Sequence, residues 1–118
     1  MFFEVNFTGG SYRVGADPVV APEEFILDLG LHATSLTLVA RCLELSPTAA
    51  DPALLLDLET SMDLQDGQWF SLGSFNPLVK THDFHKRDFT GLLRYVRWVT
   101  LGLSNASAAT FQIFGIAR

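Results

Sequence analysis

The sequence predicts an all-β fold: an antiparallel β-sandwich of seven to eight strands with jelly-roll-like or Greek-key connections and little or no helix. Three observations predict it. Apolar and polar residues alternate with a period of two along much of the chain, the pattern of strands with one face on a core and one towards water. Gly, Pro, Asn and Asp clusters interrupt that alternation about every eight to twelve residues, the turn spacing of sandwiches and barrels. No stretch sustains an apolar period of three to four residues between capping signals, so helices are absent or short.

The chain is organised around Leu54 to Phe75, LLLDLETSMDLQDGQWFSLGSF, which reads as one antiparallel hairpin. Leu54, Leu56, Leu58 and Thr60 form one row and Leu55, Asp57 and Glu59 the other. SMDLQDGQ supplies the turn, since Asp accepts backbone hydrogen bonds and Gly67 tolerates positive φ. Trp69 restarts the alternation as a buried tryptophan, and Gly73 ends it.

From the N-terminus, Phe2 to Phe7 alternates as a short strand, with Phe3, Val5 and Phe7 on one face, until Gly9-Gly10 stops it. SYRVGADPVVAPEE carries Gly15, Pro18 and Pro22, which break a ladder, and reads as a surface arm. That arm either reaches a neighbouring subunit or folds back on its own domain. The domain reading is a strand and extended arm over 1–24 and a sandwich over 25–118. Phe25 to Leu29 is a further apolar run, followed by the turn GLHATS. Leu36, Leu38, Ala40 and Cys42 alternate with Thr37, Val39 and Arg41 in a strand expected to be buried on both faces. SPTAADPA is a connection at one end of the sandwich, and VKTHDFHKRDF a loop with one short edge strand anchored by Phe84 and Phe89. LLRYVRWVTL is a strong strand in which Arg94 or Arg97 is expected to pair with Asp57 or Glu59. Gly102 to Ala109 reads as a small-residue turn. TFQIFGIAR is the last strand, with Phe111 and Ile113 facing one way and Thr110, Gln112 and Phe114 the other.

At 118 residues the chain fits one domain with a single core. Hydrophobic residues make up 48 % and charged ones 18 %, which favours a surface partly covered by partners. The net charge of −5 disfavours nucleic acid and anionic membrane, and Lys86-Arg87 is too small a basic cluster to reverse that. Cys42 is the sole cysteine, so an internal disulfide and a thiolate metal cluster are excluded and a small core hydrophobe is expected. MFFEVNF lacks the basic and apolar regions of a secretory signal, and no apolar run approaches a membrane span. Synthesis in a cytoplasm is the expectation.

Reactive constellations are weak. Asp57 and Glu59, two apart on a strand, suit solvation or arginine pairing better than paired-carboxylate catalysis. Asp63 and Asp66 beside Gly67 lack the dense oxygen spacing of a good calcium loop. His82, Asp83 and His85, with His32, offer metal-ligand types, but HDFH on a strand turns its two histidines to opposite faces. Ser61, Ser71 and Ser74 lack the G-x-S-x-G elbow of hydrolases. No enzyme activity and no cofactor is expected. Trp69, Trp98 and Tyr95 either fill the sandwich or form a sugar-stacking platform.

The succession ETSMDLQDGQWFSLGSF, FTGLLRYVRW and ATFQIFGIAR resembles a template of small bacteriophage and prophage-type virion proteins, over roughly Phe25 to Arg118. Leu64-Gln65, inserted in the turn, departs from that template. The resemblance implies a non-catalytic capsid decoration, head-fibre or joining protein of a phage or phage-like particle, made in the bacterial cytoplasm. Its partners would be copies of itself and a major capsid, tail or other shell protein. Ser61, Asp66-Gly67, Trp69 and Tyr95-Val96-Arg97 also resemble the hairpin and strand of discoidin-like, galactose-binding jelly rolls, which implies carbohydrate binding as the alternative. Under the first reading the interface residues are Phe2, Phe3, Tyr12 and Val19 in the arm, and Phe84, His85 and Phe89 in the loop.

Overall fold

A computed structural model describes residues 3–30, 33–64 and 68–118. Its ten strands are β1 (Phe3–Asn6), β2 (Tyr12–Gly15), β3 (Val19–Val20), β4 (Leu27–Asp28), β5 (Ser35–Pro47), β6 (Ala53–Ser61), β7 (Phe70–Ser74), β8 (Phe84–Thr90), β9 (Tyr95–Ser104) and β10 (Ala106–Ala117). One short 3-10 turn, Glu23–Phe25, is the helical element among the described residues. All strand pairs are antiparallel and fall into two sheets. The first runs β1-β10-β5-β8, with β2 beside β1 on the same edge of β10; the second runs β3-β9-β6-β7, with β4 beside β3 on the edge of β9. Counting β1 with β2, and β3 with β4, as two interrupted strands leaves eight strand positions. Apart from those interruptions and the β6–β7 hairpin, each successive strand lies in the opposite sheet. That winding is the jelly roll.

The core lies between the sheets and follows the alternation. Leu36, Leu38, Ala40 and Cys42 of β5, and Leu54, Leu56 and Leu58 of β6, are fully buried or nearly so. Phe111 and Ile113 of β10 lie beside the β5 row in the same sheet, and Val96 and Trp98 of β9 beside the β6 row in the other. Trp98 is the central side chain. Its ring meets Tyr12 and Phe111 at centroid distances of 5.0 and 5.1 Å. Its indole N–H donates to the Phe7 carbonyl at 2.9 Å, so the polar edge of a buried ring is satisfied. Buried Thr60 and Thr100 are satisfied likewise: Thr60 Oγ1 donates to the Tyr95 carbonyl and accepts from the Leu93 amide, and Thr100 Oγ1 accepts from Val19.

Several sequence expectations need correction. Of the two courses open to the N-terminal arm, the chain takes the one folded back on its own domain, with β2 on β10 and β3 on β9. Pro18 and Pro22 do break the ladder, but only where the chain passes between the sheets and beyond. The outward row of β5, with Thr37 and Val39 half-buried and Arg41 exposed, is not buried as a second core face. VKTHDFHKRDF ends in a seven-residue edge strand, β8, longer than its irregular pattern suggested because edge strands tolerate exposure on both rows. Between β9 and β10 the small residues continue the strands, and the reversal is confined to Asn105, at φ 52°. Its Nδ2 donates to the Ala50 carbonyl at 2.8 Å, which fixes a conformation asparagine tolerates.

Trp69 is the main departure. It does not enter the core but lies half-buried on the second sheet, its ring 4.0 Å from the Arg97 guanidinium. Arg97 is itself held by Glu59, directly opposite it in register, at 2.8 Å. The expected arginine–carboxylate pair is therefore present, and its flat guanidinium face is where the indole rests.

Candidate interaction surface

The outer face of the first sheet is set by register. Phe114 of β10 stands between Asn6 of β1 and Val39 of β5, and Val39 is opposite Lys86 of β8. One step along, Ile116 stands between Glu4 and Thr37. One step the other way, Gln112 is opposite Arg41, and Arg41 is opposite Phe84. The result is an apolar stripe of Phe114, Ile116 and Val39 with Phe84 at its edge, the last 68 % exposed. An open concavity of about 760 Å³ runs beside the stripe, lined by Glu4, Asn6, Gln112, Phe114 and Ile116. Thr37 Oγ1 donates to Asp88 at 2.6 Å and accepts from Arg118 at 2.9 Å. Arg41 and Lys86 have no ion pair among the described residues.

The outer face of the second sheet differs. Val20 pairs with Val99, and Leu101 follows two residues on; Val20 and Leu101 are each 52 % exposed. Asp57, opposite Val99, accepts hydrogen bonds from the Ser71 and Ser74 hydroxyls and meets no cation among the described residues. Arg94 is bound in a fork to Asp28, at 3.1 and 3.0 Å. That bond, with the Gly30 amide, holds the Asp28 carboxyl below the usual carboxylate range. Because the folded value is the lower one, this pair's contribution is present at neutral pH and is lost on acidification through that lowered value. Both partners are exposed, so the contribution is small.

The expected interface residues divide. Phe3, at the start of β1, and Val19, in β3, are exposed at 41 and 39 %, and Phe84 more so, at 68 %. Tyr12 is half-buried, its ring in the aromatic cluster with Trp98, Phe25 and Phe111. Phe89 is a core residue, 2 % exposed and packed edge-on to Phe75, because its position on β8 falls in register with buried Leu36. Its ring therefore lies inside the sandwich and not on the outer surface. His85 is half-buried, its Nδ1 accepting from the Asn76 amide and its ring edge-on to Phe75. Phe2, His32, Asp66 and Gly67 lie outside the described residues.

The reactive candidates are dispersed. His82 sits in the turn before β8 at φ 69°, and Asp83 accepts from the amides of Val79 and Phe84. No group of three or more His, Cys, Asp or Glu that could hold a metal occurs among the described residues. Cys42 is buried and its thiol is pushed up by burial, which keeps it protonated and unreactive. Sequence reasoning missed Val20, Val39, Leu101 and Ile116 as surface features; only the position of Phe114 on the outward row of the last strand pointed to them. It also missed Arg87, which reaches from β8 across to β7. There it donates to the Ser74 carbonyl, lies over Gly73 and rests 5.1 Å from the Phe89 ring, joining the two sheets at their open edge.

The two tryptophans make a direct check of this layout. Aqueous iodide or acrylamide is expected to quench one emission component, from Trp69, and to leave a second, from Trp98, protected. Trp69→Phe is expected to remove the quenchable component. A wild-type protein with both components equally protected would contradict the half-exposed placement of Trp69.

Fold and surface define a small jelly-roll protein with apolar patches on both outer faces. No protein-family model and no curated protein matches the sequence. Among solved structures, the chain is similar in fold to the SPBc2 prophage-derived protein YomS: 12 % identity, TM-score 0.50, over 98 % of this chain and 93 % of that one. It is also similar to PirA, at 11 % identity and a TM-score of 0.47, over 97 % and 92 % of the two chains. At such identities the likeness is one of fold.

Proposed function

We propose that the chain is a non-catalytic structural component of a phage or phage-like particle, in a capsid decoration, head-fibre or joining position, acting through contacts with its own copies and with a shell protein. The observation that carries this reading is the finish of the two sheet faces. Both bear large apolar side chains, Phe114, Ile116 and Phe84 on one and Val20 and Leu101 on the other, in a chain of low charge content. Exposed apolar area of this kind suits protein contact. Jelly rolls are a recurrent capsid architecture, and the similar fold of a prophage-derived protein over nearly the whole chain agrees with it. Particles purified from the source cells by density gradient, then analysed by mass spectrometry, are expected to contain the chain in many copies. Gradient-purified particles lacking it would overturn the reading.

A second reading, a carbohydrate-binding module, is favoured by one observation: half-buried Trp69 on the Arg97 guanidinium, with Tyr95 on the same outward row as Arg97. Binding on a glycan array that Trp69→Ala abolishes would support it over the first.

A further inference from the structure

We infer that two copies of this chain pair edge to edge through β1, antiparallel across a two-fold axis, so that the first sheet of one continues into the first sheet of the other. This rests on the particle-component reading and names one of its self-contacts. The ladder locates the free backbone groups. Arg118 and Ser35 exchange both of their backbone bonds, and Phe7 donates to the Ile113 carbonyl at 2.8 Å. In an antiparallel ladder such bonds recur at every second residue. Phe114 and Ile116 therefore bond β5, while Gly115 and Ala117 bond Val5 and Phe3, and the N–H and C=O groups of Glu4 and Asn6 point away from the sheet. Both residues are exposed, and no strand lies on that side of β1 among the described residues.

The other sheet edges are blunted. β8 carries Lys86 on its outward row and turns Arg87 inward to β7, and β7 has a register shift against β6 beside Gly73. β3 and β4 have two residues each, with Pro22 between them, and β2 ends at Gly15, ahead of Pro18. Lysine, inward cations, bulges, proline and short length are the devices that keep an edge from pairing. β1 is short, but it has no Lys, Pro, Gly or register shift, and its one charge is Glu4.

Parity then selects the partner. A strand added here continues the sheet only if its inward row falls beside Phe3, Val5 and Phe7 and its outward row beside Glu4 and Asn6. β1 itself meets that requirement. With the axis at Val5, Glu4 of each copy stands opposite Asn6 of the other and exchanges N–H and C=O groups with it. Val5 then stands opposite Val5, and Phe3, 41 % exposed, opposite Phe7, so the inward row is apolar throughout and no like charges meet. Centring the pair on Glu4 bonds only that residue and sets two carboxylates opposite each other, which is destabilising. Four residues at ~3.4 Å span about 13 Å, well short of the ~800 Å² per partner of a standard interface. The pair is weak alone, closes as an isologous dimer, and is reinforced where a particle gathers many copies.

The test reads the backbone. Sedimentation velocity at up to ~1 mM chain, a range suited to a sub-standard interface, is expected to show a reversible monomer–dimer equilibrium of the wild type. Amide hydrogen exchange followed by NMR at low and high concentration is expected to slow several-fold at Glu4 and Asn6 as the dimer fills. It is expected to stay unchanged at Lys86 and Asp88, whose amides alternate with those bonded to β5 and point off the β8 edge. Glu4→Pro removes one outward N–H and leaves the donors of the β1–β10 ladder in place, as edge strands allow. It is expected to be monomeric, with far-UV circular dichroism and thermal midpoint near wild type. A monomeric wild type, a dimer in which Glu4 and Asn6 exchange as fast as in the monomer, or a folded Glu4→Pro that dimerises as the wild type does overturns the inference; if Glu4→Pro does not fold, the exchange rates decide. Its failure beside particles that contain the chain leaves the particle reading standing; pairing through β1 beside particles that lack the chain removes that reading alone.

Discussion

Replacing Trp98 by alanine is expected to lower the unfolding free energy by about 3–5 kcal/mol, the range for truncating a large buried aromatic residue. Against a total of about 5–15 kcal/mol for a domain of this kind, that brings the protein close to unfolding. The size of the effect follows from where the ring sits. It is fully buried, touches Tyr12 and Phe111, and ties Phe7 to β9 through its indole N–H. Trp98→Phe separates packing from hydrogen bonding: most of the ring area stays, the Phe7 carbonyl loses its indole donor, and a loss of about 1–3 kcal/mol is expected. Trp69→Ala, which removes a contact with the partly exposed Arg97, is expected to cost about 1 kcal/mol or less. Urea titrations of the three variants check the order. A Trp98→Ala midpoint close to that of Trp69→Ala would show that the core is not built on Trp98.

Gly115→Ala is the second large effect, about 3 kcal/mol, at the upper end of what overpacking typically costs. A Cβ at this position would fall on the carbonyl oxygen of Thr37 and lie 2.9 Å from the Leu38 Cα. Both atoms belong to backbone of the neighbouring strand, within the last three pairs of the β5–β10 ladder, and neither can turn aside. Relief requires the two longest strands of the first sheet to move apart. Gly91→Ala is the control, since a Cβ there meets no atom within 4 Å and bears only the cost of φ 74°, about 1 kcal/mol. Thermal unfolding of the pair tests the argument, and equal midpoints would contradict it.

Much of the fold was legible because alternation is a direct record of which side chains face a core. The rows of Leu54 to Thr60, of Leu36 to Cys42 and of Phe111 and Ile113 lie buried as their spacing requires. Trp69 was misplaced because its position follows a turn rather than a paired strand, so parity carried no information about its direction. Phe89 was read as surface because the pattern around it is irregular; its burial depends on pairing with Leu36, a partner distant in sequence. The same limit applies to the candidate surface. The outward direction of Phe114 can be read locally, but its adjacency to Val39, and that of Val20 to Val99, exist only once strands remote in the chain are brought side by side. The charge pairs show the intermediate case: Arg97 with Glu59 was among the combinations expected, whereas Arg94 with Asp28 needed the short β4 to be placed on β9.

The two strands made last, β9 and β10, each occupy an interior place in a sheet, flanked on one side by segments from the first thirty residues and on the other by β6 or β5. During synthesis, therefore, neither layer can be zipped shut until residues 95–117 emerge, and the early strands must wait without their ladder partners. Folding is set to be a late, largely all-or-none event governed by long-range pairing, slow relative to helical proteins of equal length. Nascent chains interrupted before that point would hold only the β5–β8 and β6–β7 pairs, with one edge of β5 and of β6 unpartnered.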